Sequence, residues 1–309
     1  MHDVVIRGGT IVDGTGKPAF TNDVAITDGR IAAVGKDLGS AKKTVDADGL
    51  LVTPAWVDAH THYDGQVAWD EQMTPSLWHG VSTVVMGNCG VGFAPTTPDR
   101  HDWLIGLMEG VEDIPGPSLA AGLPWGWQSF PEYLDVLDKM PRTLDVGGMI
   151  THGALRAFVM GERGAKNEPA TDEDIAKMAA IVKEAVLAGA LGFSSSRTLV
   201  HTANDGEPVP GTFAKEDELI GIAQAVRSTG RGILEMVPRG IAGESDDLLS
   251  EVDMMIRIAR STGCPLTFLL AQNNSYPDQW REVMAKCTAA VEGGVPIVPM
   301  VFTRPVCIL

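Results

Sequence analysis

The chain has 309 residues, of which 44% are hydrophobic and 21% charged, the profile of a globular protein with ample apolar material for a core. Its formal charge of −16 excludes nucleic acid and anionic membrane as partners, because either needs a basic face, and leaves small molecules as the expected ligands. The N-terminus lacks the basic region and apolar core of a signal peptide, no run reaches the ~18 apolar residues of a membrane span, and Cys89, Cys264, Cys287 and Cys307 show no close pairing, so a reducing, cytoplasmic compartment is expected.

Residues 1–52 read as short strands at 4–6, 10–12, 24–26, 31–34 and 44–45, broken by Gly8-Gly9, Asp13-Gly14, Asp28-Gly29 and Asp48-Gly49. The expectation is a small antiparallel β module, a platform without chemistry. Gly8-Gly9 and Gly14-Thr-Gly16 are turns and not nucleotide loops, since the latter lies between short strands and opens no helix.

From residue 53 to 309 strands alternate with helices, as in βαβ units. The apolar run 50–57 has no polar alternation and predicts a strand buried on both faces, ending in Trp56-Val-Asp-Ala-His-Thr-His-Tyr-Asp64. On such a strand His60 and His62 point the same way and reach one ion together, with Asp58 deeper on the same face. A second strand, 81–86, runs into Gly87-Asn-Cys89-Gly90, and a third, 144–149, ends near His152. Between them 116–127 reads as an ordered loop, and Ser129 caps a helix carrying Leu134, Val136, Leu137 and Met140. Thr171-Asp-Glu-Asp174 starts a long helix through Ala188 that Gly189 stops. A fourth strand, 191–193, leads into Ser194-Ser-Ser-Arg197. Helices at 216–228, 246–261 and 280–291 alternate with strands at 232–237, 266–270 and 295–301.

This order predicts a (β/α)8 TIM-type barrel, with a doubly wound sheet as the weaker fit. Seven strands are counted by residue 301, so either the sheet is open or the chain is a fragment truncated after the seventh strand; the apolar ending 306–309 favours the fragment. Barrels place chemistry at the carboxyl ends of their strands, where His60, His62 and Cys89 would converge. Two imidazoles and a thiolate form a three-ligand zinc set that leaves a position open for water, against the plain reading of surface histidines and a small buried cysteine. Asp64 reads as a proton carrier, as a support for a ligand, or as an ordinary loop carboxylate.

Asp3-Val-Val-Ile-Arg-Gly-Gly-Thr-Ile-Val-Asp-Gly14, Asp28-Gly-Arg-Ile31 and Asp58-Ala-His-Thr-His-Tyr-Asp64 resemble the opening of the metal-dependent amidohydrolase superfamily. Met86-Gly-Asn-Cys-Gly-Val-Gly-Phe-Ala-Pro95, His152-Gly-Ala-Leu-Arg156, Val159-Met-Gly-Glu-Arg163 and Gly192-Phe-Ser-Ser-Ser-Arg197 resemble its D-aminoacylase branch, the N-acyl-D-amino-acid deacylases. The resemblance implies a barrel with a small β-sandwich and one or two Zn2+ ions held by the HxH pair, the Cys, histidines on the fifth and sixth strands, and an eighth-strand Asp. It also implies hydrolysis of a C–N bond other than a peptide bond, with an N-acyl amino acid as substrate. His60, His62 and Cys89 carry over. The fifth and sixth strands hold no histidine, so Glu235 stands as a replacement ligand, Gln272 is a poor one, and His152 and His201 either complete a rearranged site or hydrogen-bond in loops. Ser195 and Arg197, with His152 and His201, are the expected substrate contacts, Arg197 by gripping a carboxylate. The alternative to the enzyme is a non-catalytic amidohydrolase-like scaffold or an inactive fragment. Homo-oligomer formation is left open.

Overall fold

The computed structural model describes residues 1–302, and the chain divides into two units, Met1–Trp56 and Val57–Leu309. Cys307 and the apolar ending 306–309 lie outside the described residues. No helix of the described residues is long and apolar enough to cross a membrane.

The first unit is one sheet in the order β3-β2-β1-β4, with β5 also on β1. Strand β1 (His2–Ile11) pairs antiparallel with β2 (Phe20–Thr27), which turns through Asp28-Gly29, both at positive φ, into β3 (Arg30–Gly35). The strands β4 (Ala41–Asp46) and β5 (Leu51–Val52), however, run parallel to β1. The sheet is therefore mixed and not antiparallel, because residue alternation sets the buried face and carries no information on strand direction. Nor does Gly8-Gly9 break the strand. It shifts the register inside β1, with the Gly8 N–H donating to Asp23 at 2.9 Å and a Cβ on Gly9 falling 2.4 Å from Val52 Cγ2.

Strand β6 (Trp56–Asp58), which begins on the last residue of the first unit, forms one sheet with β7 (Val81–Met86) and β8 (Asp145–Gly148) of the second. A second sheet holds β9 (Ile150–Thr151), β10 (Gly192–Ser196), β11 (Ile233–Val237), β12 (Leu266–Leu270) and β13 (Ile297–Val301), parallel and in sequence order. Only Met149 separates β8 from β9, and its N–H donates to Met86 O at 3.0 Å. Among the described residues β6 and β13 each have one hydrogen-bonded neighbour.

Nine α-helices are described: α1 (His101–Glu112), α2 (Gly116–Gly122), α3 (Phe130–Asp138), α4 (His152–Met160), α5 (Glu162–Ala165), α6 (Asp172–Ala188), α7 (Glu216–Ser228), α8 (Leu248–Thr262) and α9 (Gln279–Glu292). Capping boxes start two of them as the sequence requires, Ser129 with Glu132 on α3 and Thr171 with Asp174 on α6. Helix α6 buries Met178, Val182, Ala185 and Val186, and each larger side chain contributes roughly 1.5–3 kcal/mol by leaving water. The strands supply Met86, Ile150, Phe193 and Phe268 to the same core.

Three readings of the barrel half need correction. Residues 50–57 are not one strand buried on both faces: they hold two short strands, and Trp56 and Val57 are 61% and 63% exposed, consistent with a strand that has one neighbour. Residues 116–127 are not all loop, since α2 occupies their first half. The serines 194–196 do not follow the fourth strand but form its buried end, each hydroxyl engaged in a hydrogen bond.

Candidate metal centre

The turn after β7 sets the site. Gly87, Cys89 and Gly90 all lie at positive φ, which bends the chain sharply enough to aim Cys89 Sγ back across the strand end. A non-glycine residue in this region costs roughly 1–2 kcal/mol, a strain met at functional positions. Buried Asn88 pins the turn by donating to Thr61 O at 3.1 Å and Val85 O at 2.9 Å, while Thr61 donates through N and Oγ1 to the same Val85 carbonyl. The opposite side of the turn packs on β10: Gly90 N donates to Ser194 Oγ at 3.1 Å, and a Cβ on Gly90 would lie 2.8 Å from Ser196 N.

His60 and His62 are not on the strand. They lie just past β6, so their convergence comes from the pinned loop rather than from strand alternation. His60 Nε2 is 3.2 Å and His62 Nε2 is 3.6 Å from Cys89 Sγ, and the three donor atoms lie within 4.8 Å of one another. Donors on tetrahedral zinc at the usual Zn–S and Zn–N lengths stand roughly 3.5 Å apart. Asp58 is exposed and accepts the His60 N–H at 3.3 Å, so it is not a deeper support.

Buried carboxylates surround the trio. Glu235, on β11, accepts the Cys89 N–H at 3.2 Å through Oε2, and its Oε1 stands 3.8 Å from His60 Nδ1, the nitrogen away from the thiol. It backs two of the donors and is not one of the converging three. Glu112, at the end of α1, has Oε2 3.3 Å from His62 Nε2. Asp64 is buried with Oδ2 unpartnered. The unpartnered buried atoms His60 Nδ1, His62 Nδ1, Asp64 Oδ2, Glu112 Oε1 and Glu235 Oε1 thus gather at one place.

Burial pushes His60 down to about 4, helped by His201, and holds His62 well below its ordinary value, so both rings are neutral donors. Burial lifts Asp64 to about 7 against the Gly87 N–H, and lifts Glu112 to about 8 with Asp64 adding to it. Glu235 rises to about 8 by burial against the Cys89 N–H, and the Cys89 thiol is pushed far up by burial and then by Glu112, Glu235 and Asp64. Among the described residues no Lys or Arg pairs with these acids. A dication would reverse the shifts and deprotonate the thiol, so donor set and surroundings both fit zinc.

The other expected contacts are placed elsewhere. His152 begins α4 fully buried, Nδ1 2.8 Å from Ser195 Oγ and Nε2 2.9 Å from Glu218 Oε1, so neither ring nitrogen is left for substrate. Arg197 is buried with its fork on Glu251 at 2.6 and 3.0 Å and its remaining amine on Ala214 O at 2.7 Å. Its grip on a carboxylate is internal. His201 stays beside the trio, Nδ1 2.9 Å from Ser196 Oγ, and burial takes it to about 4. The residue that sequence reasoning missed is Glu112. Its signal was an acid closing a helix whose Leu104, Ile105, Leu107 and Met108 are buried, where a cation is the favoured residue.

Residues 43–298 match the amidohydrolase family. The chain is 31% identical over 265 residues to D-aminoacylase of Alcaligenes xylosoxydans xylosoxydans, covering 85% of this chain and 49% of that protein. N-acyl-D-aspartate deacylase of the same organism is 32% identical over 270 residues, covering 86% and 48%. The chain thus spans about half the length of these curated relatives. The crystal structure of N-acyl-D-glutamate deacylase from Bordetella bronchiseptica, complexed with zinc and a phosphonate mimic of the reaction's tetrahedral intermediate, superposes with a TM-score of 0.77 at 28% identity over 98% of this chain and 59% of that one.

Proposed function

Because the chain belongs to the amidohydrolase family, we propose that its protein is a zinc-dependent hydrolase that deacylates an N-acyl-D-amino acid. The observation that carries this reading is the convergence of His60 Nε2, His62 Nε2 and Cys89 Sγ amid buried acids that no Lys or Arg among the described residues pairs with. Zinc bound there supplies a Lewis acid that polarises the amide carbonyl and makes water nucleophilic at neutral pH. The chain's own residues do the rest.

His60, His62 and Cys89 hold the ion. Glu235 braces the Cys89 backbone by accepting its N–H, and its Oε1, 3.8 Å from His60 Nδ1, stands just beyond hydrogen-bond reach of that ring, on the side where a metal-bound imidazole usually finds its support. Asp64, with one carboxylate oxygen free, takes the proton from water and returns it to the leaving amine. His201 faces the substrate from the Ser196 side. Ser195, His152 and Arg197 build the wall behind it, through Glu218 and Glu251. The parallel strands in sequence order support completion as a (β/α)8 barrel, with residues 1–52 as the β-sandwich half. The buried free thiols of Cys89, Cys264 and Cys287 suit a cytoplasmic setting.

The test is release of free amino acid from N-acetyl-D- and N-acetyl-L-amino acids by zinc-loaded and chelator-treated protein. Zinc-dependent release with a preference for the D series is expected. No release from any member of the panel by zinc-loaded protein would leave the non-catalytic scaffold, a reading favoured by the absence of histidine from β11 and β12.

A further inference from the structure

Helix α1 ends on Glu112 with no basic residue in its last turn. The aligned peptide dipoles leave partial negative charge there, so an anion at this position is disfavoured. Glu112 is also 85% removed from solvent, its side chain being 15% exposed, and among the described residues its one ion-pair partner is His62. An ionised carboxylate so placed calls for positive charge, and among the described residues no Lys or Arg supplies it.

His62 Nε2 marks where such a charge would sit. His62 Nε2 faces two groups at once, Cys89 Sγ at 3.6 Å and Glu112 Oε2 at 3.3 Å. One ring N–H serves a single acceptor well, whereas an ion between them satisfies all three. Nitrogen and oxygen donors on zinc stand roughly 3.4 Å apart, close to the observed separation. Oε1 of Glu112 is buried and unpartnered.

We propose that Glu112 is a fourth protein ligand of the metal held by His60, His62 and Cys89, in place of a histidine that neither β11 nor β12 supplies. The inference rests on the metal-centre reading above. Glu112 stands at the edge of the trio, outside the set of donors lying mutually within 4.8 Å, and closes on the ion by rotation about its terminal torsions. A thiolate and a carboxylate then balance a dication, and expansion to five-coordination keeps a position for water.

The experiment titrates Zn2+ into metal-stripped protein against a chromophoric chelator and records the visible spectrum of the Co2+-loaded form, for wild type, Glu112→Gln and Glu112→Ala, after a thermal melt shows each variant folded. Loss of a support residue weakens metal binding by about 10–100-fold, so loss of a ligand should exceed about 100-fold. The Co2+ d–d bands should shift while the thiolate charge-transfer band of Cys89 persists. Unchanged affinity and an unchanged Co2+ spectrum in Glu112→Gln would overturn Glu112's role while leaving the centre intact. Failure of wild type to bind Zn2+ would overturn the centre itself. Should Glu112→Gln not fold, Glu112→Asp keeps the charge and loses the reach, and an unchanged Co2+ spectrum there would overturn the assignment equally.

Discussion

Replacing Glu218 with alanine should destabilise the protein by about 3–5 kcal/mol, the usual cost of breaking a buried pair from one side. Glu218 is 2% exposed and binds both His152 Nε2 and the Arg156 guanidinium, itself 1% exposed. Its removal leaves Arg156 buried with only the Glu168 carbonyl as acceptor. A second route gives a similar figure. Burial alone would raise the Glu218 carboxyl, but His152 and Arg156 outweigh it and hold it at about 2 against an ordinary 4.5. That difference corresponds to about 3 kcal/mol of linkage. The folded-state value is the lower one, so this stability is present above pH 4.5 and is lost as pH falls towards 2. His152, lowered by burial, acts in the same sense, costing stability as pH falls below 6.5. Urea unfolding at pH 7 and at steps down to pH 3, followed by tryptophan fluorescence, measures both. A loss under about 1 kcal/mol at pH 7, or an acid slope equal to wild type, would refute the ion-pair reasoning.

Cys89→Ser should lower zinc occupancy and hydrolysis together, because a hydroxyl does not replace the thiolate; zinc analysis beside an activity assay checks it, and retention of both contradicts the ligand assignment. Glu235→Gln should weaken zinc binding by about 10–100-fold yet keep full stoichiometry at saturating metal, which chelator competition would show. Arg197→Ala should lower Tm sharply by stranding buried Glu251, and a raised KM with Tm unchanged would instead restore Arg197 as a substrate contact.

The helices were legible where local chemistry fixes them. Ser129 and Thr171 cap as their side chains dictate, and Gly189 ends α6. The converging trio was legible because HxH and Cys89 are rare residues at telling positions, although a pinned loop rather than a strand brings the histidines round. What periodicity cannot carry is pairing: the parallel β4 and β5, and the partners of Arg197 and His152, are set by contacts between segments far apart in sequence. Three consecutive serines read as a loop because serine favours turns, yet as β10 their hydroxyls serve Gly90, His152 and His201. Glu112 escaped for a related reason, being brought to His62 by the end of α1 and not by any motif.

Assembly of a metal centre by His60, His62 and Cys89 underlies every role proposed above. Zinc per chain, measured by elemental analysis after exhaustive dialysis of the purified protein and of its His60→Ala, His62→Ala double variant, tests it most directly. About one zinc or more per wild-type chain, lost in the double variant, is the result predicted. Zinc no higher in wild type than in the double variant would contradict it and leave the buried acids around Cys89 as neutral carboxyls.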